Sequence, residues 1–147
     1  MKKLFIVLSL LLIFSPVIAQ QQIENAFIGT WQVVNAQVIP ELASDMAVLD
    51  AEGKKKMEHL SQGFVGAVLT FRNNKQFSMK LGENTPDFMK AFSSLNDKKW
   101  KLENGQVINI GNEVEGYNLM KLYMVSREGK QYFIIEESPF MLEVKKL

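Results

Sequence analysis

Apolar and polar residues alternate along most of the chain after residue 26. Alternation with a period of two sends successive side chains to opposite faces of a strand. It predicts eight strands, at residues 27–39, 66–72, 76–81, 99–103, 106–109, 118–126, 131–137 and 140–146. Turn chemistry separates most of them. Arg72-Asn73-Asn74-Lys75, Asn104-Gly105, Arg127-Glu128-Gly129-Lys130 and Ser138-Pro139 each stand between two alternating runs. Asn-Gly is the strongest short hairpin signal, because both central residues of a type I′ turn need positive φ. Eight short strands joined mainly by hairpins point to an all-β fold, an eight-stranded antiparallel up-and-down barrel or a sandwich.

Two connections are longer. Between the first two strands, Leu42, Met46, Leu49, Met57 and Leu60 recur at helical spacing, Pro40 suits a first helical position, and Gly53 divides the segment into two helices. Between the third and fourth strands, Thr85-Pro86-Asp87 opens a stretch in which Phe88, Met89, Phe92 and Leu95 form one apolar face. Both segments are placed to cover an open barrel end.

Alternation also assigns an inside. With Trp31 facing inward, Phe27, Gly29, Val33, Asn35 and Gln37 follow it, with Ala67, Leu69 and Phe71, then Phe77, Met79 and Leu81, and Phe140, Leu142 and Val144 on the last strand. Lys145 then faces out, which leaves Lys146, or no basic residue, to lie against Trp31. The sixth strand is apolar on both faces, which requires cover on both; a helical segment packs outside it, or the protein forms a homodimer there.

The N-terminus carries a different pattern. Lys2 and Lys3 precede an apolar run from Leu4 to Phe14, then Ser15, Pro16 and the small residue Ala19. This is the layout of a secretory signal peptide cleaved after Ala19, and the run is shorter than the roughly 20 residues of a spanning helix. Residues 1–19 are read as the signal and residues 20–147 as one domain. The expected location is therefore outside the cytoplasm, periplasmic or extracellular. Cysteine is absent, which removes thiol chemistry and disulfides and argues against a lipid-anchored start. The signal holds two of the 17 Lys+Arg, so fifteen face 16 Asp+Glu in the domain. A charge near −1 gives no reason to expect a nucleic-acid partner. No second long apolar run follows, so no membrane span is expected after signal removal.

Phe27-Ile28-Gly29-Thr30-Trp31 places a Gly-x-Trp on the first strand, a few residues inside the domain. This resembles the first motif of the lipocalin (calycin) superfamily, and the chain looks most like the small lipocalin-like domains exported by bacteria of the Bacteroides group. The resemblance implies that Gly29 and Trp31 are structural. The Trp packs across the closed barrel floor, a short helical turn at about residues 22–26 plugs it, and a basic residue of the last strand lies against the ring. The chain departs from the family in having Lys rather than Arg there and in lacking a Thr-Asp-Tyr loop motif. Its helical insertion after the first strand is closer in position to the lid of fatty-acid-binding proteins.

A barrel of eight strands is either filled by its own side chains or holds one small ligand. The ligand reading names Asn35, Phe71, Met79, Trp100 and Tyr123 as the binding residues: a few polar groups in an apolar lining. The ligand would be a small hydrophobic or amphipathic molecule. The alternative is a filled barrel that acts as a protein-interaction module of the cell envelope. Nothing at catalytic or metal-ligand spacing appears. His59 is the single histidine and sits in a charged helical stretch, and the pairs Glu113/Glu115 and Glu136/Glu137 read as exposed. The chain is expected to be no enzyme, with no cofactor and no metal.

Overall fold

The computed structural model describes residues 23–83 and 85–147. The expected signal, residues 1–19, lies outside the described residues. Eight strands form one closed barrel in chain order: β1 (Gly29–Val38), β2 (Val68–Phe71), β3 (Gln76–Lys80), β4 (Lys98–Glu103), β5 (Val107–Gly111), β6 (Met120–Arg127), β7 (Lys130–Ile135) and β8 (Phe140–Lys146). Every neighbouring pair is antiparallel, and β1 pairs with β8 to close the ring. Helical structure occurs at α1 (residues 23–27), α2 (Ala43–Ala47) and α3 (Ala51–Phe64), with 3-10 turns at Pro40–Leu42 and Asp87–Leu95. The fold is thus the all-β up-and-down barrel, with its helical insertion between β1 and β2.

Antiparallel order sends successive connections to opposite ends of the barrel. Three tight turns and α1 form one end, the floor. Residues 39–67, 81–97, 112–119 and 136–139 form the other, the lid end. The floor turns carry the predicted chemistry. Asn104 and Gly105 have φ of 51° and 70°, and Glu128 and Gly129 have 51° and 77°; both central residues lie in the left-handed region that twists a hairpin correctly.

The lid helices are built from caps rather than from Gly53. Pro40 opens the first 3-10 turn. The chain then breaks after α2, and the Asp50 side chain accepts the Gly53 amide at 2.7 Å to cap α3. Gly53 therefore lies within the first turn of α3 rather than dividing two helices. Leu42, Met46, Leu49, Met57 and Leu60 are all half-buried, as an amphipathic face requires. A contact from Glu41 to Arg127 at 3.2 Å ties the start of this segment to β6, a strand apolar on both faces.

The Asp87–Leu95 segment differs from its expected packing. A 3-10 helix repeats every three residues, which aligns Met89, Phe92 and Leu95. Met89 and Leu95 are buried and Phe92 is half-buried, but Phe88 falls off that face and is 60% exposed.

One register change alters the assignment of the inside. Val33 pairs with Val144 and Asn35 with Glu143, so Val34 is an extra residue in β1. Such a bulge shifts every later side chain to the other face. Trp31, Val33 and Ala36 are buried, whereas Asn35 is exposed and Gln37 half-buried on the outer face. The inward placement expected for Asn35 and Gln37 is corrected by that single insertion.

Candidate functional site

The barrel interior is the first place to test. Its lower half is a chain of aromatic rings. Phe71 meets Phe77 at 5.1 Å between centroids, Trp100 at 5.7 Å and Phe133 at 5.8 Å, and Phe133 meets Trp31 edge-on at 5.5 Å. Offset and edge-on pairs of this kind contribute about 0.5–1.5 kcal/mol each beyond area burial. Above them lie Leu69, Met79, Ile108, Ile110, Leu122 and Leu142. Phe71, Phe77, Ile108, Ile110, Leu122 and Phe133 are all 0% accessible to water, from outside or from any internal void. These side chains belong to one buried hydrophobic cluster that fills the interior as an ordinary core does.

Of the five expected ligand-binding residues, Phe71, Met79 and Trp100 are therefore core. Trp100 does not sit at the lid end. It lies near the floor, its indole N–H donating to Arg72 O at 3.1 Å and its face covered by the Lys75 ammonium at 4.4 Å. Asn35 stands outside because of the bulge. Tyr123 is also on the outer face, where its hydroxyl donates to the Glu136 carboxylate at 2.6 Å. The structure does not bring the five together.

The outer cluster around Tyr123 is a polar brace. Lys121 bridges Glu136 at 3.1 Å. The hydrogen bond from Tyr123, then that from Lys121, holds the Glu136 carboxyl below the ordinary glutamate value, and the same bond to Glu136, with desolvation, raises the Tyr123 phenol. Close by, Asn109 is only 2% exposed and donates its amide to Glu103 at 2.7 Å, while its carbonyl oxygen has no partner among the described residues. Among the described residues no three His, Asp or Glu side chains converge as a metal site would need. His59 is exposed on α3, and Glu115 is paired with Lys98 at 3.1 Å.

The floor is held by two lysines, each over a tryptophan. Trp31 donates its indole N–H to Phe27 O at 2.9 Å. The Lys146 ammonium lies 5.1 Å from the Trp31 ring and donates to Ala26 O at 3.2 Å. Gly29 makes that crossing possible: its φ is +136°, and a Cβ there would stand 2.6 Å from Lys146 Cε. The second cap is Lys75, which pairs with Glu24 of α1 as well as covering Trp100. Burial lowers the Lys75 ammonium below the ordinary lysine value. Gly29 and Trp31 thus lie together at the plugged floor, with the Lys146 ammonium over the Trp31 ring. The Lys75 cap and the interior position of Phe133 were not read from the sequence, since neither ring contact follows from strand alternation.

The lid end is closed by Phe64, which packs against Phe92 at 5.4 Å and Phe140 at 6.0 Å, and by Met89. Gly63 lets the α3 terminus approach: a Cβ there would overlap the Met89 thioether and stand 2.9 Å from Pro86 Cδ. Outside this seal, Phe88 is exposed beside Leu60 and His59, around a groove of about 310 Å³. Leu119 at 43% and Val114 at 97% are exposed on the same end.

These features define a closed eight-stranded antiparallel barrel with a plugged floor and a capped lid end, a form that fits a lipocalin-like fold. Compared with known protein families, with curated proteins and with solved structures, the chain finds no match.

Proposed function

We propose that the chain is an exported, non-enzymatic barrel that serves as a protein-interaction module of the cell envelope and presents its lid end to the partner. The observation that carries this reading is the interior, where six large side chains have no water-accessible surface. A filled barrel is a scaffold, so its binding belongs on its outside. The lid end supports it further: Phe88, Leu119 and Val114 are each exposed at that end, and Phe88 borders a groove beside Leu60. The test is photo-crosslinking in the source cells, with a photoreactive residue in place of Phe88 and, as control, in place of Lys101 on the outer wall. A discrete envelope protein captured from position 88 alone supports the module. Equal, diffuse labelling from both positions sinks it.

A second reading, a small apolar ligand inside the barrel, has one observation in its favour. The lid half of the interior contains Met79, Met89 and Met120, and thioether side chains repack more easily than branched ones. A ligand would have to displace them. Native mass spectrometry of protein purified gently from its source separates the two: a reproducible adduct, lost on solvent extraction and restored on adding it back, favours the ligand.

A further inference from the structure

The floor is only half covered by α1. Glu24 reaches Lys75, and Ile23 lies 3.6 Å from where a Gly105 Cβ would be, so the helical turn leans toward the β2–β3 and β4–β5 hairpins. On the opposite side, between the ends of β1 and β8 and the β6–β7 turn, the wall holds a trough of about 500 Å³. Its bed is apolar: Trp31, Val34, Met124 and Val144. Val34 is the bulged residue of β1, and the bulge is what leaves it 43% exposed there instead of pointing into the core.

The rim has the opposite character. Lys130, Lys145 and Lys146 all border the trough, against the single carboxylate of Glu143. That carboxylate is already engaged, with both oxygens 3.1 Å from Lys130 Nζ. Among the described residues Lys145 has no carboxylate within salt-bridge distance. An apolar bed of small-ligand size with a surplus of cations at its edge is complementary to a hydrocarbon chain that ends in an anion.

We infer that this trough binds a single-chain anionic amphiphile, of which a long-chain carboxylate is the simplest. The chain lies on Val34, Met124 and Val144, and the headgroup meets Lys145, with Lys130 and Lys146 on either side. Because Trp31 forms part of the bed, occupancy changes its surroundings directly. The site lies at the rim of the floor, where the inward-facing Trp31, Met124 and Val144 meet the exposed Val34, at the opposite end from the surface offered to a protein partner.

The experiment titrates the purified protein with dodecanoate below its micelle concentration, with dodecanol and dodecyltrimethylammonium as chain-matched neutral and cationic probes. Backbone amide shifts locate the site and tryptophan fluorescence follows it. The expected result is saturable binding of dodecanoate, with shifts confined to residues 26, 31, 34, 124, 129–131 and 143–146. Lys145→Glu is expected to weaken dodecanoate about five-fold, the size of one partly exposed charge contact, and to leave dodecanol unchanged. Val34→Glu weakens both. Both substituted positions are on the surface, and an unchanged thermal midpoint shows that each variant is folded. Three outcomes overturn the inference: shifts centred on Phe71, Phe77 and Met79, which would place the chain inside the barrel; no saturable shift; or binding only to anionic phospholipid vesicles, which would make the rim a membrane contact.

Discussion

The two ends of the barrel are both closed, but by different means. The floor is closed by polar tethers laid over aromatic faces: Lys146 to Ala26 O and Trp31, and Lys75 to Glu24 and Trp100. The lid end is closed by apolar insertion, with Phe64 and Met89 pushed into the mouth from α3 and the Asp87–Leu95 segment. Directional contacts hold the floor shut although Ile23, Val34 and Leu147 stay exposed around it. Insertion by amphipathic segments leaves the residues that miss the seal outside, and Phe88 is the one that missed most conspicuously. The tethered end leaves only the narrow trough beside Trp31 and Val34, and the inserted end is the one that leaves an aromatic ring, Phe88, in water.

Both ends close over one core, so the largest expected effect removes the ring at its junction. Phe71 contacts Phe77, Trp100 and Phe133. Phe71→Ala is expected to destabilise the protein by about 3–5 kcal/mol, read as a lower urea midpoint with unchanged slope. A loss under about 1 kcal/mol would mean that the interior tolerates a hole, which would return weight to a ligand inside it.

Two glycine substitutions sharpen the contrast. Gly29→Ala forces an alanine to φ +136° and drives its Cβ into the Lys146 stem; the expected cost is about 1–3 kcal/mol. Gly63→Ala meets the buried Met89 thioether and the rigid Pro86 ring, a crowding that the gain of helix propensity, about 1 kcal/mol, offsets only in part. Its net cost is expected to be of similar size. Amide hydrogen exchange distinguishes them: Gly29→Ala speeds exchange in residues 23–31, and Gly63→Ala in residues 60–67 and 87–95. Equal, global acceleration by both would show that the ends are not separate units.

A third difference is pH-dependent. The Tyr123–Glu136–Lys121 brace fastens the start of the lid-end turn at 136–139 to β6. The Glu136 pKa is depressed in the folded state, so the unfolded state takes up its proton first as pH falls. The stability contributed by the brace is complete above the ordinary glutamate value and is lost as pH drops through the lower folded value. Glu136→Gln is expected to flatten that part of the acid limb of a stability-against-pH curve, while Glu24→Gln, whose tether is at the floor, leaves the lid-end amides unaffected. An acid limb with the same shape in wild type and Glu136→Gln would remove the brace from the account.

The same contrast explains what was legible in the sequence. The floor was largely readable, because its rules are local. Asn104-Gly105 names its own turn and strand parity left Lys146 or no basic residue beside Trp31, while the packing of Trp31 came from the resemblance that Gly29-x-Trp31 carries. The lid end was read as helical and amphipathic but not in detail. Asp50, not Gly53, sets the start of α3, and the period of three in a 3-10 helix turns Phe88 outward where a period of 3.6 would have kept it in. The largest miss came from one residue. Alternation has no memory of an insertion, so the bulge at Val34 sent Asn35 and Gln37 outside and put Val34 in the trough. Filling was not legible at all. The same inward residues line a hollow barrel or pack a solid one, and only the meeting of Phe71, Phe133 and Trp31 decides between them.

The smallest expected effect on stability belongs to the residue with the largest role in the proposed contact. Phe88 is mostly in water and supports no other ring, so Phe88→Ser is expected to change stability by less than about 0.5 kcal/mol. Its effect should appear only in association. If the lid end is the recognition surface, Phe88→Ser loses the crosslinked partner from a neighbouring probe at position 91 while the urea midpoint stays in place, because removing an exposed aromatic anchor removes binding without removing fold. The informative failure is the reverse pattern. A variant that keeps its partner but unfolds earlier would show that Phe88 belongs to the seal after all, and the two ends of the barrel would then differ in how they are closed but not in what they are for.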